Sequence, residues 1–253
     1  MPNSQKSVTY FIADLHLAQN RPDITACFLR FLKNEAIQAQ TLYILGDLFE
    51  VWVGDDDDDD SAYLATIAKA LRTLSSFGTT IYYIHGNRDF LLGKRFAKKS
   101  SMILLPEIDL IDLYGQNVVI MHGDTLCTRD IAYQNFRKKS RSWWWQAMVK
   151  SLPLWVRKKM AANYRKKSAA ATSIKPQDIM DVTESEVVDC LEGYQSQLLI
   201  HGHTHRPAIH HLTANGKTAQ RIVLGDWYEQ GAWLKVTPTS MKLLNQPLAQ
   251  TNG

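Results

Sequence analysis

Hydrophobic and polar positions follow two regimes along this chain. Short apolar runs at 8–12, 42–45, 81–84, 118–121, 198–200 and 221–224 are rich in β-branched and aromatic residues and predict buried strands. Between the first three, apolar residues recur at helical spacing: Ile24, Phe28, Phe31 and Leu32 behind Pro22, then Tyr63, Leu64, Ile67, Leu71 and Leu74. Strand and helix therefore alternate, and the first half reads as α/β. Beyond residue 200 the signals change to short strands separated by turn residues, Asn215-Gly216 being the plainest. Further strand candidates at 231–236 and 241–244 predict a sheet-rich remainder.

The segment at about 130–173 breaks this alternation with a helical, basic, Trp-rich stretch. A first helix is expected to end near Ser151 and a second to begin at Pro153. Val156, Met160 and Tyr164 recur every four residues, while Arg157, Lys158, Arg165 and Lys166 fall on other faces. The expected organisation is a single domain over 1–253 with an inserted helical lobe.

Composition narrows the function classes. Of the 253 residues, 45% are hydrophobic and 21% charged, enough apolar content to fold around a core. The three cysteines, Cys27, Cys127 and Cys190, form no CxxC pair, which argues against a disulfide framework or a thiolate metal site and for a reducing compartment. No run approaches the roughly 18 uncharged apolar residues of a membrane span. The net charge is +4, yet Arg129 through Lys167 carries twelve Lys or Arg against Asp130 alone, a local +11 that leaves −7 elsewhere. The basicity belongs to the lobe.

Five strand candidates end in polar clusters: Asp14-Leu15-His16, Gly46-Asp47, Gly86-Asn87-Arg88-Asp89, His122-Gly123-Asp124 and His201-Gly202-His203-Thr204-His205. In an α/β sheet the carboxyl ends of strands converge on one crevice, so these clusters are expected to meet. Two aspartates, an asparagine and four imidazoles are oxygen and nitrogen donors suited to manganese, iron or zinc. Seven ligands exceed the needs of one open catalytic metal and suit two cations sharing a carboxylate. Asp14 and Asp47 leave such a centre with surplus positive charge, which points to phosphoester hydrolysis.

The ordered set DxH, GD, GN[HR]D, H and GHxH, over residues 8 to about 230, resembles the calcineurin-like metallophosphoesterase superfamily. The resemblance implies a four-layer α-β-β-α sandwich of two mixed sheets. It also implies that Asp14, His16, Asp47 and His205 hold one metal, and Asp47, Asn87, His122 and His203 the other. A narrower resemblance rests on GDLFEVWVGDDD at 46–57, Gly86 to Phe90, AYQNFR at 132–137, Ile179 to Val182 and His201 to Pro207. These segments are similar to the UDP-2,3-diacylglucosamine hydrolase family of lipid A biosynthesis. That resemblance implies two Mn2+ ions and cleavage of the substrate's pyrophosphate by a metal-activated hydroxide, giving UMP and 2,3-diacylglucosamine 1-phosphate. It places substrate contacts at Asn87, Arg88, Asp130, Ser168, Thr172, Lys175 and His203. Thr172 stands where relatives often carry Asn, and Arg129 where an acid is expected.

Position 88 supplies a physical test, because most superfamily members carry His there. A guanidinium stays protonated and clamps phosphate oxygens, which suits a phosphate leaving group that needs charge neutralisation more than a proton. Asp47, Asn87 and Arg88 are the expected catalytic residues; an ion pair of Arg88 with Asp89 is the competing reading. The lobe is expected to hold acyl chains on its aromatic side and to meet anionic headgroups with its cations, so a monomer at the cytoplasmic face of the inner membrane is expected. Of Trp143-Trp144-Trp145, at least one must pack on the lobe, since consecutive helical residues point in different directions. The run 55–60 reads as an exposed, mutually repelling loop or as a means of concentrating metal. A soluble phosphodiester substrate would make the Trp-rich lobe superfluous. A single-stranded nucleic-acid platform on a dead enzyme would predict missing ligands, and none is missing, so no nucleic-acid partner is expected.

Overall fold

The computed structural model describes residues 7–58, 61–172 and 181–248. In chain order, β1 (Thr9–Ile12), α1 (Pro22–Asn34), β2 (Thr41–Ile44), α2 (Ala62–Ser76), β3 (Thr80–Tyr83), α3 (Lys94–Lys99) and β4 (Met102–Leu104) alternate. Next come β5 (Ile108–Leu113), β6 (Gln116–Met121), α4 (Ile131–Ser140), α5 (Trp143–Lys150), α6 (Leu154–Thr172) and α7 (Glu184–Gly193). The chain continues through β7 (Leu198–His201), β8 (Ala208–Ala214), β9 (Lys217–Val223), β10 (Gln230–Thr237) and β11 (Ser240–Pro247).

The strands form two mixed sheets, ordered β11-β10-β1-β2-β3-β4 and β5-β6-β7-β9-β8. Parallel pairs join β1 to β2, β2 to β3, β3 to β4, β6 to β7 and β7 to β9; antiparallel hairpins close both sheets. The two-residue period of a strand sorts the layers. Tyr10 and Ile12 of β1 pack with Ile24, Phe28 and Phe31 of α1 and with Ile67 and Leu71 of α2. Phe11 and Ala13 face the other way, into a second core with Ile120, Ile200 and Ile222 of the opposite sheet. On that sheet's outer side, Val119, Met121 and Leu199 meet Val187 and Leu191 of α7. The result is the α-β-β-α sandwich; each fully buried side chain such as Phe11 contributes about 1.5–3 kcal/mol.

Local chemistry sets the element ends. Pro22 opens α1, and Ser61 accepts the Leu64 N–H at 3.2 Å to cap α2. Asn215 and Gly216 both take positive φ at the β8–β9 turn, as a tight hairpin of that sequence requires.

The lobe departs from the expected two helices. Its first helix splits at Arg141-Ser142, giving α4 and α5. The Ser140 and Ser142 hydroxyls turn back to the carbonyls of Arg137 and Lys139, and Arg141 reaches out to the Gly86 carbonyl at 2.9 Å. Arg157 is set apart from the lobe's other cations: only 3% of it is exposed, and it donates to the carbonyls of Leu152 and Val53 and to the Asp56 carboxylate. The acidic run is accordingly no free repelling loop. Asp55 accepts the N–H groups of Gly93, Arg95 and Phe96, Asp56 pairs with Arg157 and Asp57 with Lys158, which ties the run to α3 and α6. Asp59 and Asp60 lie outside the described residues.

Candidate active site

The parallel strands β1, β2, β3, β6 and β7 are each followed by one of the polar clusters, and these meet at one edge of the two sheets. Past β1 and β2 the two segments continue side by side: Asp14 N–H donates to the Gly46 carbonyl, His16 to Asp47 and Leu17 to Leu48. This brings Asp14 and His16 beside Asp47. Asn87 follows β3, His122 follows β6, and His203 and His205 follow β7. All seven predicted donors come together.

The geometry is that of converging lone pairs. His122 Nδ1 lies 2.8 Å from the Leu45 carbonyl, which only accepts, so the neutral ring keeps its lone pair on Nε2. That nitrogen faces Asn87 Oδ1 at 3.0 Å and His203 Nδ1 at 3.2 Å; Asn87 Oδ1 is 2.9 Å from His203 Nδ1. Asp47 Oδ1 lies 3.8 Å from His122 Nε2 and its Oδ2 3.9 Å from His16 Nε2, so the carboxylate stands between two donor groups. His205 Nε2 approaches Asp14 Oδ1 at 3.3 Å. Ligand atoms of Asp14, His16 and His205, and of Asp14, Asp47 and His122, gather closely enough to hold a cation. Neither buried ring nitrogen of His16 has a hydrogen-bond partner of good geometry among the described residues, and Nε2, turned towards Asp47, fits a metal-facing role.

Backbone strain concentrates here. Asp14, His16, Asp47, His203 and His205 all take positive φ, between 52° and 70°, a region L-residues rarely occupy. Close approach explains one of the neighbouring glycines: a Cβ on Gly86 would stand 2.1 Å from Asp47 Oδ1.

Burial and charge set the proton affinities. Burial raises Asp47 to about 6 against the pull of His122 and His16. Burial would also raise Asp14, but His205, with His122 and His16, holds it well below the usual carboxylate range. Burial and the neighbouring His122 push His203 down to about 4. His205 goes the other way, to about 9, because its contact with Asp14 outweighs burial. His201, buried and beside Arg221, falls to about 3; its Nδ1 donates to the Gly202 carbonyl at 2.8 Å, a structural role.

Asp89 is spent on backbone, accepting N–H groups of Asp47 and Gly86 on Oδ1 and of Phe49 on Oδ2. The competing ion pair with Arg88 is therefore absent among the described residues. Arg88 anchors its own N–H on Asp47 Oδ1 at 2.8 Å, while its guanidinium makes no hydrogen bond or ion pair there and faces a cavity. That cavity, about 650 Å³, runs from His16, Asp47, Asn87, His203 and His205 to an apolar wall of Trp52, Val53, Phe90, Phe136, Trp145, Val149 and Met160. Asp130 and Ser168 line it too; Asp130 also accepts the Tyr133 N–H at 3.1 Å. Lys175 and the side chain of Thr172 lie outside the described residues.

Several site residues were not singled out from the sequence. Glu50 lies 2.9 Å from His16 Nδ1. Buried Asp124 accepts from Tyr133 Oη at 2.6 Å and Arg137 Nε at 2.9 Å, tying α4 to the loop after His122. All four stand inside quoted motifs, but the contacts of Tyr133 and Arg137 depend on how the lobe docks.

The calcineurin-like phosphoesterase profile matches residues 8–207. The chain is 54% identical over 239 residues to a UDP-2,3-diacylglucosamine hydrolase of Escherichia coli O6:H1, covering 94% of this chain and 99% of that one. Enzymes of the same name from Salmonella arizonae and Klebsiella pneumoniae are also 54% identical, over 95% and 94% of this chain and 99% of theirs. The chain belongs to the calcineurin-like phosphoesterases, among the UDP-2,3-diacylglucosamine hydrolases. It is a metal-dependent hydrolase of the metallophosphoesterase fold, and the donor set described above is where a divalent metal fits.

Proposed function

We propose that this site hydrolyses the pyrophosphate bond of UDP-2,3-diacylglucosamine, releasing UMP and 2,3-diacylglucosamine 1-phosphate for lipid A biosynthesis. The observation that carries the reading is one cavity with a cation-binding end and an apolar end. The former suits a diphosphate, the latter fatty acyl chains. Asp14, His16, Asp47 and His205 would hold one Mn2+, and Asp47, Asn87, His122 and His203 a second, with Asp47 shared. Bound there, divalent cations neutralise phosphate oxygens and lower the pKa of water towards neutrality. Arg88 clamps the non-bridging oxygens and balances charge on the departing phosphate. Asn87, His203, Asp130 and Ser168 supply polar contacts around the nucleotide and sugar; Thr172 and Lys175 are carried over from the family pattern alone. Metal-free protein given UDP-2,3-diacylglucosamine in isotopically labelled water should release UMP only on addition of Mn2+, with the label in the UMP if the α-phosphorus is attacked. Equal turnover of UDP-N-acetylglucosamine would contradict a role for the acyl chains.

Metal uptake should depend on pH. His205, at about 9 in the metal-free protein, must lose its proton before it can bind. Mn2+ affinity should therefore rise with pH up to about 9, by as much as about tenfold per unit for each proton displaced. Titrations of metal-free protein at pH 6, 7 and 8 would measure this; a constant affinity would contradict it.

The lobe presents Trp143 (83% exposed) and Trp155 (69% exposed) amid its Lys and Arg residues, whereas Trp145 packs near Phe90 and Phe136. None of the described helices is long and apolar enough to cross a membrane. The exposed tryptophans and cations support a lobe that rests on an anionic membrane surface, here the cytoplasmic face of the inner membrane. Binding to vesicles of anionic phospholipid should weaken as ionic strength rises and weaken further in Trp143→Ala. Salt-independent binding would count against an electrostatic attachment.

A further inference from the structure

Glu50 stands three residues beyond Asp47, and the backbone explains where it points. The paired segments after β1 and β2 continue until the Glu50 N–H donates to the Leu17 carbonyl at 3.1 Å, which sets Glu50 alongside His16. Its Oε2 lies 2.9 Å from His16 Nδ1, and its Oε1 is taken by Arg165 of α6. Tyr228 closes the other side: its ring stacks on the His16 imidazole at 4.9 Å and 11°, and its hydroxyl points to Glu50 Oε2 at 3.5 Å. Arg21 holds Tyr228 by its carbonyl at 2.8 Å. The imidazole is thus stacked at one face, with Nδ1 at ion-pair distance from the Glu50 carboxylate and Nε2 towards Asp47.

We infer that Glu50 is a positioning residue that orients His16 for cation binding through its Nδ1, while Arg165 of the lobe keeps the carboxylate in place. A carboxylate that accepts from Nδ1 fixes the tautomer with its lone pair on Nε2 and makes that nitrogen a stronger donor. The support matters more here because His16 has a φ of 52°, a backbone conformation that needs its surroundings to hold it. The inference rests on the assignment of His16 as a metal ligand under the proposed function.

The test is Mn2+ binding to metal-free protein, read from the electron paramagnetic resonance of free Mn2+, for wild type, Glu50→Ala, Glu50→Gln and Asp57→Ala. Wild type should take up two ions. Glu50→Ala should weaken one of them by about 10- to 100-fold and leave the other, as loss of an outer partner of a metal-bound histidine does. Glu50→Gln, whose amide oxygen still accepts from Nδ1, should regain most of that loss. Asp57→Ala removes a lobe tether remote from His16 and should bind both ions as wild type does. Equal affinities in Glu50→Ala and wild type would overturn the inference, as would equal losses in the Ala and Gln variants. A matching loss in Asp57→Ala would also overturn it, by tracing the effect to a loosened lobe. A wild type binding fewer than two ions would instead refute the two-cation centre.

Discussion

Asp47→Asn should slow hydrolysis of UDP-2,3-diacylglucosamine by about 10³- to 10⁵-fold even with excess Mn2+, while the folded protein survives. The carboxylate stands between His122 and His16, 3.8 and 3.9 Å from their Nε2 atoms, and is the only proposed ligand common to both cations. Bound metals supply several kcal/mol of charge stabilisation in such reactions, and each 1.36 kcal/mol is tenfold in rate. The amide keeps the shape and an oxygen for the Arg88 N–H but removes a buried charge that desolvation disfavours. The metal-free variant should therefore melt no lower than metal-free wild type. Steady-state rates with parallel metal analysis test this; turnover within tenfold of wild type would mean that Asp47 does not bridge.

The second large effect is expected at Arg88. Its guanidinium faces the cavity with no ion pair among the described residues, and Asp89, the neighbour that would neutralise it, serves three backbone N–H groups instead. A cation held ready in this way acts on charge that accumulates as the phosphate departs. Arg88→Ala should lower kcat by about 10²- to 10³-fold, the usual loss for one electrostatic donor, with a smaller change in KM. Arg88→Lys should recover part of it, since an ammonium keeps the charge without the bidentate fork. Near-wild-type turnover by the alanine variant would remove Arg88 from the mechanism.

The legible part of the fold was the part with a strong period. The amphipathic α1 and α2 announce themselves by one uniformly apolar face, and the central strands, buried on both faces, by continuous apolar runs. β4, at three residues, is too short to carry a period, and α3 and α7 are brief helices whose burial depends on the sheet behind them. β5 reads Ile-Asp-Leu-Ile-Asp-Leu, and its place at a sheet edge leaves most positions part-exposed. In the lobe, the burial of Arg157 was not legible because a four-residue spacing says which residues share a face, not what that face meets. Its burial follows from the Val53 carbonyl and Asp56 on a segment about a hundred residues away.

The metal-binding donors could be read directly from the chain because each follows a strand, and parallel strands can deliver their ends only to a common edge. Which glycine must yield space, which carboxylate caps a helix rather than binds a cation, and which histidine nitrogen keeps its lone pair were decided by contacts between distant segments. Those contacts form only when two sheets and a lobe pack together, and no local pattern encodes the distance between residues such as Glu50 and Arg165. Sequence supplied the reactive groups and their order; tertiary packing chose their orientation, protonation and partners, since these depend on burial and on charges brought near from elsewhere in the chain.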